Sequence, residues 1–391
     1  MIRTEHFLED AEAWLRGALT QLREMHPVTA SHTQECRQVW NRMLCDADLI
    51  ALTWPREHGG RELSTATLIS FHELCARMHA PQPINSIAHA ILAPTLLRFG
   101  TPEQKAKFLP GIRQGSEIWC QGYSEPQTGS DLSSVRTRAR PDGSGWCVSG
   151  RKIWTTQAHL AKWCFALVRT DPDSQAHRGL SFMLIDMQAD GVRVEPIRQM
   201  TGEADYNEVL FDATPVPDGS ILGDAGGGWR IAMAAAEYER GIYFMPRVVQ
   251  LEDELRQLTD ALAQVRLGQA ERAVEEHRVR ELADLCHVIR WRVDRVLRQV
   301  AEGNTPGIDG AMLKLLWSET RQKIWEQRVA LLGEAAILGP QASAPHADTA
   351  SVLREFLWSR AETIVAGTSE IQRNIVGERL LGLPKDKAQH A

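Results

Sequence analysis

The chain has 391 residues, 43% hydrophobic and 24% charged, which is room for two or three domains and a substantial core in an ordinary globular protein. Its formal charge of −6 argues against nucleic acid or an anionic membrane surface as the main partner. Seven scattered cysteines with no Cys-x-x-Cys exclude a disulfide framework, and neither a secretory leader nor a run of about 18 apolar residues is visible, so a soluble, cytoplasmic protein is expected.

Residues 1–118 read as a helical domain. Phe7, Leu8, Ala11, Leu15, Leu19 and Leu22 recur at steps of three and four and make one apolar stripe. WPREHGG (54–60) is a loop. In TPEQKAKFLPGI, Thr101 is a natural N-cap, Pro102 sits at the first helical position and Gln104 completes a capping box. The character changes at 119. Short stretches rich in β-branched and aromatic residues follow, broken by Gly, Pro and Asp, and Val192 and Val194 alternate with Arg193 and Glu195 as a half-buried strand requires. Residues 119–228 are expected to form a β-domain, a small barrel or sandwich. From Trp229 the helical period returns. Leu282, Leu285, Ile289, Val293, Val296 and Val300 mark the buried face of one long helix, and 229–391 reads as a helical bundle. The class is α+β, with helices, strands and helices in that order.

Several motifs carry chemistry. His72, Cys75 and His79 could share a helix face, but a metal site would need a further ligand, and ordinary helix residues are the simpler account. Asn85, Ser86 and His89 put polar groups on one helical segment. GYSEPQTGSD (122–131) has the glycines and small hydroxyl residues of a nest for an anionic or polar heterocyclic ligand, with Ser124, Thr128 and Ser130 facing it; a plain surface turn is the alternative. In KIWTT (152–156), Trp154 is either a core residue or a platform for a planar ring. Gly226, Gly227 and Gly228 fit neither a phosphate loop nor a dinucleotide fingerprint and read as a flexible lead-in to the next helix. AAAEYERGIYF (234–244) holds Glu237 and Glu239 on an otherwise apolar helix, where residues two apart point about 200° away from each other. A carboxylate in apolar surroundings is a candidate base; an ion pair with Arg240 or Arg247 is the alternative. In TIVAGTSEIQRN (363–374), Gly367 stops one helix, and Ser369 with Gln372 fits the capping box of the next, leaving backbone N–H groups exposed.

In family order, WPREHGG, FGTPEQKAKFLPGI, GYSEPQTGSD, VSGRKIWTT, NEVLFDATPVP, AEYERG and AGTSEIQRNIVGERLLGLP resemble the acyl-CoA dehydrogenases over nearly the whole chain. The resemblance implies FAD held between the β-domain and the C-terminal helices. Gln121, Ser124, Gly129 and Ser130 would line the flavin and thioester region, Trp154, Thr155 and Thr156 the isoalloxazine edge, and Thr368 and Glu370 the cofactor from the helix break. Ser130, Glu237, Arg240 and Gly367 would meet an acyl-CoA. Such enzymes take a proton from the carbon beside a thioester carbonyl while hydride leaves the next carbon for the flavin, and pass electrons to an electron-transfer flavoprotein. They assemble as homodimers or homotetramers, and heteromers are open here.

The chain departs from the family's commonest pattern. Many members place the base just before the Gly-Thr pair, where this chain has Ala366. The isovaleryl-CoA and long-chain branches place it in a Glu-Arg pair on the helix leading to the bundle, which corresponds to Glu239 and Arg240, with Arg240 orienting the base. The stretch RLGQAERAVEEHRVRE (266–281) lacks the Arg-x-x-Phe-Gly that reaches a neighbouring subunit's FAD in many relatives, and LLGEAA (331–336) stands where Gln-x-x-Gly-Gly is usual. A flavin monooxygenase on the same scaffold and a non-catalytic partner subunit are the rival readings. The motifs look closest to bacterial members acting on sterol side chains and branched or aromatic acyl groups.

Overall fold

The N-terminal apolar stripe finds its partners within the first three helices. In the computed structural model, which describes residues 4–26, 33–174, 176–239, 244–338 and 349–384, helix α1 spans Thr4–Met25, α2 Gln34–Asp46 and α3 Thr65–Arg77. Phe7, Ala11, Leu15, Leu19 and Leu22 are buried against Trp40 and Leu44 of α2 and Phe71 of α3, with Leu8 at the edge of the cluster. Each large aliphatic side chain so removed from water contributes about 1.5–3 kcal/mol. A π-helical turn, Ala88–Leu92, runs directly into α4 (Ala93–Phe99), and α5 spans Pro102–Gln114. The predicted capping box on α5 is present, with Thr101 and Gln104 bonded reciprocally. Gln104 also donates to the carbonyls of Gly219 and Ile221, both at 2.8 Å, and so ties α5 to the β-region. WPREHGG contains a 3₁₀ turn, Arg56–His58, closed by Gly59 at φ +78°.

Strands β1 (Trp119–Gly122), β2 (Arg138–Asp142), β3 (Gly145–Thr156), β4 (Trp163–Arg169), β5 (Leu180–Asp186), β6 (Val192–Ile197), β7 (Tyr206–Val216) and β8 (Ile221–Leu222) form one mixed sheet. Its order is β6-β7-β3-β2-β4-β5-β8, and β1 pairs in parallel with β4. β4 and β5 are buried on both faces and therefore read as continuous apolar runs, whereas β6 alternates half-buried Val192 and Val194 with exposed Arg193 and Glu195. Asn85 joins the helices to the first strand. Its amide donates to the Glu117 carbonyl at 2.8 Å, and its Oδ1 accepts from the Trp119 N–H at 3.1 Å. Ser86 likewise is used structurally, accepting from Arg37.

Helix α6 (Gly228–Glu239) packs on β5, on α4 and on the π-helical turn. Gly226, Gly227 and Gly228, where it begins, are not a flexible lead-in. A Cβ on Gly228 would lie 2.4 Å from the Ser181 carbonyl carbon and 2.5 Å from Phe182 N, so the backbones of helix and strand touch. Gly226, at φ +82°, donates its N–H to Ser181 Oγ. Close approach requires glycine here.

The chain divides at Glu239/Arg240 into two compact units. In the second, α7 (Phe244–Gln264), α8 (Gln269–Ala301), α9 (Gly307–Leu332), α10 (Glu334–Leu338), α11 (Thr349–Glu362) and α12 (Ser369–Arg379) are gathered around α9, which packs on all the others. A helix so surrounded is buried round most of its circumference, and α9 hides Leu313, Trp317, Ile324 and Trp325 together with Lys314 and Arg321. On α8, Leu282, Ile289, Val293 and Val296 are buried, while Leu285 and Val300 lie half-buried at the edge of the stripe. Arg321 donates to both carboxylate oxygens of Glu254 at 2.9 Å, and to Glu355 and Glu362 at 2.6 Å. Burial pushes the Glu254 carboxyl up to about 7 against the attraction of Arg321, and raises Glu362 as well. Burial thus lets Glu254 hold its proton into neutral pH.

Candidate active site

Two segments predicted to hold a ligand lie side by side in the first unit. The loop after β1 is folded back on itself, with Glu125 and Thr128 exchanging backbone hydrogen bonds at 2.8 and 3.0 Å. Ile153 N–H donates to the Ser124 carbonyl at 2.9 Å, which fixes the loop against β3. Gln121 and Ser124 are half-buried, and Gly129 and Ser130 are exposed, with open space around Gly129. Thr128 does not face outward with them. It is buried and donates its hydroxyl to the Asp131 carbonyl, because the return of the loop needs that bond.

On β3 the pairing with β7 shifts between Lys152 and Thr155, and Trp154 takes φ +59° at the irregularity. An aromatic residue in the left-handed region is uncommon and costly. The effect is to turn the indole out of the sheet. It is 55% exposed and touches Tyr206 edge-on at 6.1 Å, so the alternative of a core tryptophan is overturned. Thr155 beside it is buried, and its Oγ1 has no hydrogen-bond partner among the described residues. Thr156 is half-buried. An outward indole face, an unpaired hydroxyl and an open glycine-serine loop suit a planar heterocycle with polar edges. The isoalloxazine of FAD is such a group, and these residues fit it.

Below this surface lies a pair that inspection of the sequence did not single out. Lys152 and Glu125, 0% and 1% exposed, are joined at 2.9 Å. Their signal was present, since Glu125 lies in GYSEPQTGSD and Lys152 opens KIWTT, but a contact across 27 residues has no local signature.

Helix α6 is described as far as Glu239. Glu237 is exposed on it. The Glu239 side chain and the whole of Arg240, the expected base and its orienting residue, lie outside the described residues. The π-helical turn against which α6 packs carries His89, whose ring lies 6.1 Å from that of Trp54. Burial drives its pKa down to about 3, so the ring is neutral, and Nε2 has no hydrogen-bond partner among the described residues. His72 is similarly held down at about 4 by burial, and Cys75 is raised to about 12. Among the described residues no group of three or more His, Cys, Asp or Glu that could hold a metal ion occurs.

In the second unit the turn before α12 is built differently from the expectation. Thr368, not Ser369, is the N-cap, accepting from Ile371 N–H at 3.2 Å, and Ser369 N–H is spent on the Thr363 carbonyl. Gln372 does not complete a capping box with Ser369. It is fully buried and donates to the carbonyls of Ala366 at 3.0 Å and Gly367 at 3.2 Å. Buried Lys314 donates to the same Gly367 carbonyl at 2.7 Å. Both carbonyls therefore point into the bundle, which turns the N–H groups of Gly367 and Thr368 outward, since a trans peptide sets C=O and N–H opposite. Ala366 at φ +55° and Gly367 at φ +90° make this possible. Glu370 is exposed; hydrogen bonds from its own backbone N–H and from Thr368 hold its carboxyl below the usual range. A cleft of about 450 Å³ opens beside the turn, lined by Thr363, Thr368, Ser369 and Glu370 and by charged residues of both signs from α9 and α12.

Sequence profiles of the acyl-CoA dehydrogenase N-terminal, middle and C-terminal domains match residues 4–116, 120–214 and 226–381. The acyl-CoA dehydrogenase IpdE1 of Mycobacterium tuberculosis is 39% identical over 98% of both chains. The chain belongs to the acyl-CoA dehydrogenase family. Among solved structures of this fold, the ChsE4-ChsE5 complex from Mycobacterium tuberculosis matches 98% of both chains at 25% identity with a TM-score of 0.81. The Tcur3481-Tcur3483 steroid ACAD matches 99% of both chains at 24% identity, also with a TM-score of 0.81. This acyl-CoA dehydrogenase is thus an oxidoreductase of a generally FAD-dependent family, and none of its described helices is long and apolar enough to cross a membrane.

Proposed function

We infer that this acyl-CoA dehydrogenase converts an acyl-CoA thioester to the trans-2-enoyl-CoA with Glu239 as base. The observation that carries the cofactor half is Trp154, an indole turned outward at left-handed φ beside an unpaired buried hydroxyl. FAD, when bound, would supply the acceptor for the hydride, which carries both electrons. Trp154, Thr155 and Thr156 would hold its ring, Gln121, Ser124, Gly129 and Ser130 its surroundings, and Thr368 and Glu370 further parts of it. Ser130, Glu237, Arg240 and Gly367 are assigned to the thioester substrate.

The carbon beside a thioester carbonyl is a weak acid, so enolate character on the carbonyl oxygen must be met by hydrogen-bond donors. The outward N–H groups of Gly367 and Thr368 are donors of that kind, fixed from behind by Lys314 and Gln372. Ala366 offers only a methyl group where many relatives carry the base. A carboxylate must then come from elsewhere, and the Glu-Arg pair at 239–240 in the sequence supports Glu239, oriented by Arg240. Anaerobic addition of an acyl-CoA should bleach the flavin absorbance. Glu239→Gln should abolish bleaching while substrate affinity stays near wild type, and full bleaching by that variant would remove Glu239 from the role.

An electron-transfer flavoprotein as acceptor, a cytoplasmic location and a division into domains at 118 and 228 complete the proposal. Helix gives way to strand at Trp119 and strand to helix at Gly228, which supports that division. The substrate we propose is a branched or steroid-derived acyl group; the Tcur3481-Tcur3483 enzyme is named as a steroid ACAD. Both structural neighbours are named as two-component assemblies, which favours a second reading in which this chain is one subunit of a heteromeric dehydrogenase. Light scattering on the chain alone and after co-expression with a second family member separates that reading from a homodimer or homotetramer.

A further inference from the structure

We propose that the buried Glu125–Lys152 pair is the positioning element of the flavin cradle, setting where the loop 123–130 and the Trp154 bulge stand relative to each other. The proposal rests on the reading that these two segments hold flavin. Lys152 has three N–H donors, and they meet Glu125 Oε1 at 2.9 Å, the Tyr123 carbonyl at 3.2 Å and the Leu167 carbonyl at 2.7 Å. Glu125 receives four donors. Oε1 takes Lys152 and the Thr137 N–H at 2.8 Å, and Oε2 takes the Arg136 N–H at 2.7 Å and the Gln127 amide at 2.8 Å. Three donors on the amine and four on the carboxylate are what the ionised forms require, so geometry alone fixes both charges.

The network is closed. No valence is left for substrate or proton transfer, and neither group reaches solvent, so neither is a catalytic residue. Two charges removed from water contribute little net stability by themselves, but an apolar pair would leave the Arg136 and Thr137 N–H groups and the Tyr123 and Leu167 carbonyls without these partners. What directional bonds provide that apolar contacts do not is a single geometry. The bonds to Tyr123, Thr137 and Leu167 join the start of the loop, the residue just before β2 and β4. Lys152 is also the last residue in register with β7 before the shift that turns Trp154 outward. A loop and a bulge fixed before the cofactor arrives lose less entropy on binding.

The test compares wild-type holoenzyme with the double variant Glu125→Leu/Lys152→Met, in which no charge is left unpaired. The expected result is a variant that still unfolds cooperatively in urea, its midpoint lowered by the backbone groups left without partners, with FAD bound about tenfold more weakly on dilution and a reduced visible circular dichroism of the bound flavin. A pair that only stabilises would move the midpoint and not these two. Wild-type FAD affinity and dichroism in a folded double variant would overturn the proposal while leaving the function reading intact; a wild-type chain that binds no FAD would overturn both. Should the double variant not fold, hydrogen exchange on the wild-type protein decides. The amides of Arg136, Thr137 and Ile153 should be protected as strongly as those of β4 and β5, and exchange as fast as exposed loops would refute the clamp.

Discussion

Replacing Arg321 by Met should destabilise the second unit in a pH-dependent way. Arg321 is buried and faces Glu254, Glu355 and Glu362; Gln250 also donates to Glu254, and Arg354 pairs with Glu355. Even with Arg321 present, burial holds Glu254 at about 7 instead of 4.5, so its ionisation costs the folded state about 3 kcal/mol at 1.36 kcal/mol per unit. Removing the cation strips away the attraction and leaves an uncompensated buried charge, a loss of about 3–5 kcal/mol. The sign follows from linkage. Carboxyls whose folded pKa lies above the unfolded value, about 4.3, contribute stability that is present below that value and lost as pH rises through the folded pKa. The variant's deficit should therefore be largest near pH 8 and shrink towards pH 5, where the acids take up protons. Urea unfolding of both proteins at several pH values, followed by circular dichroism, measures it. A deficit below about 1 kcal/mol, or one equal at every pH, would refute the reasoning, since an unpaired carboxylate must respond to protons.

Two further substitutions probe the first unit. Gly228→Ala pushes a methyl group into the Ser181 backbone at 2.4 Å and should lower stability by about 1–3 kcal/mol in urea unfolding; an unchanged midpoint would mean that the helix slides freely on β5. Trp154→Ala removes an exposed ring and should leave the unfolding midpoint within about 0.5 kcal/mol of wild type. FAD affinity should fall by about 1 kcal/mol, roughly fivefold, and equal affinity by fluorescence titration would show that the indole does not stack on the flavin.

Local patterns in the sequence carried the element types because helices and strands are selected by periods of a few residues. The α1 stripe, the Thr101 box on α5 and the alternation of β6 are all of this kind, and each is found where the period places it. The amino-acid sequence by itself thus determined the succession of helices, strands and helices, and its ordered motifs determined the family. Tertiary structure decided which polar groups are spent and which remain free. It gave the cap of α12 to Thr368 because Gln372 is drawn inward to two carbonyls, and it turned Thr128 inward and Trp154 outward. It also joined Glu125 to Lys152, far apart in sequence. Each of these outcomes depends on partners from another element, and hydrogen-bond competition in a desolvated interior is settled only when all those elements are in place.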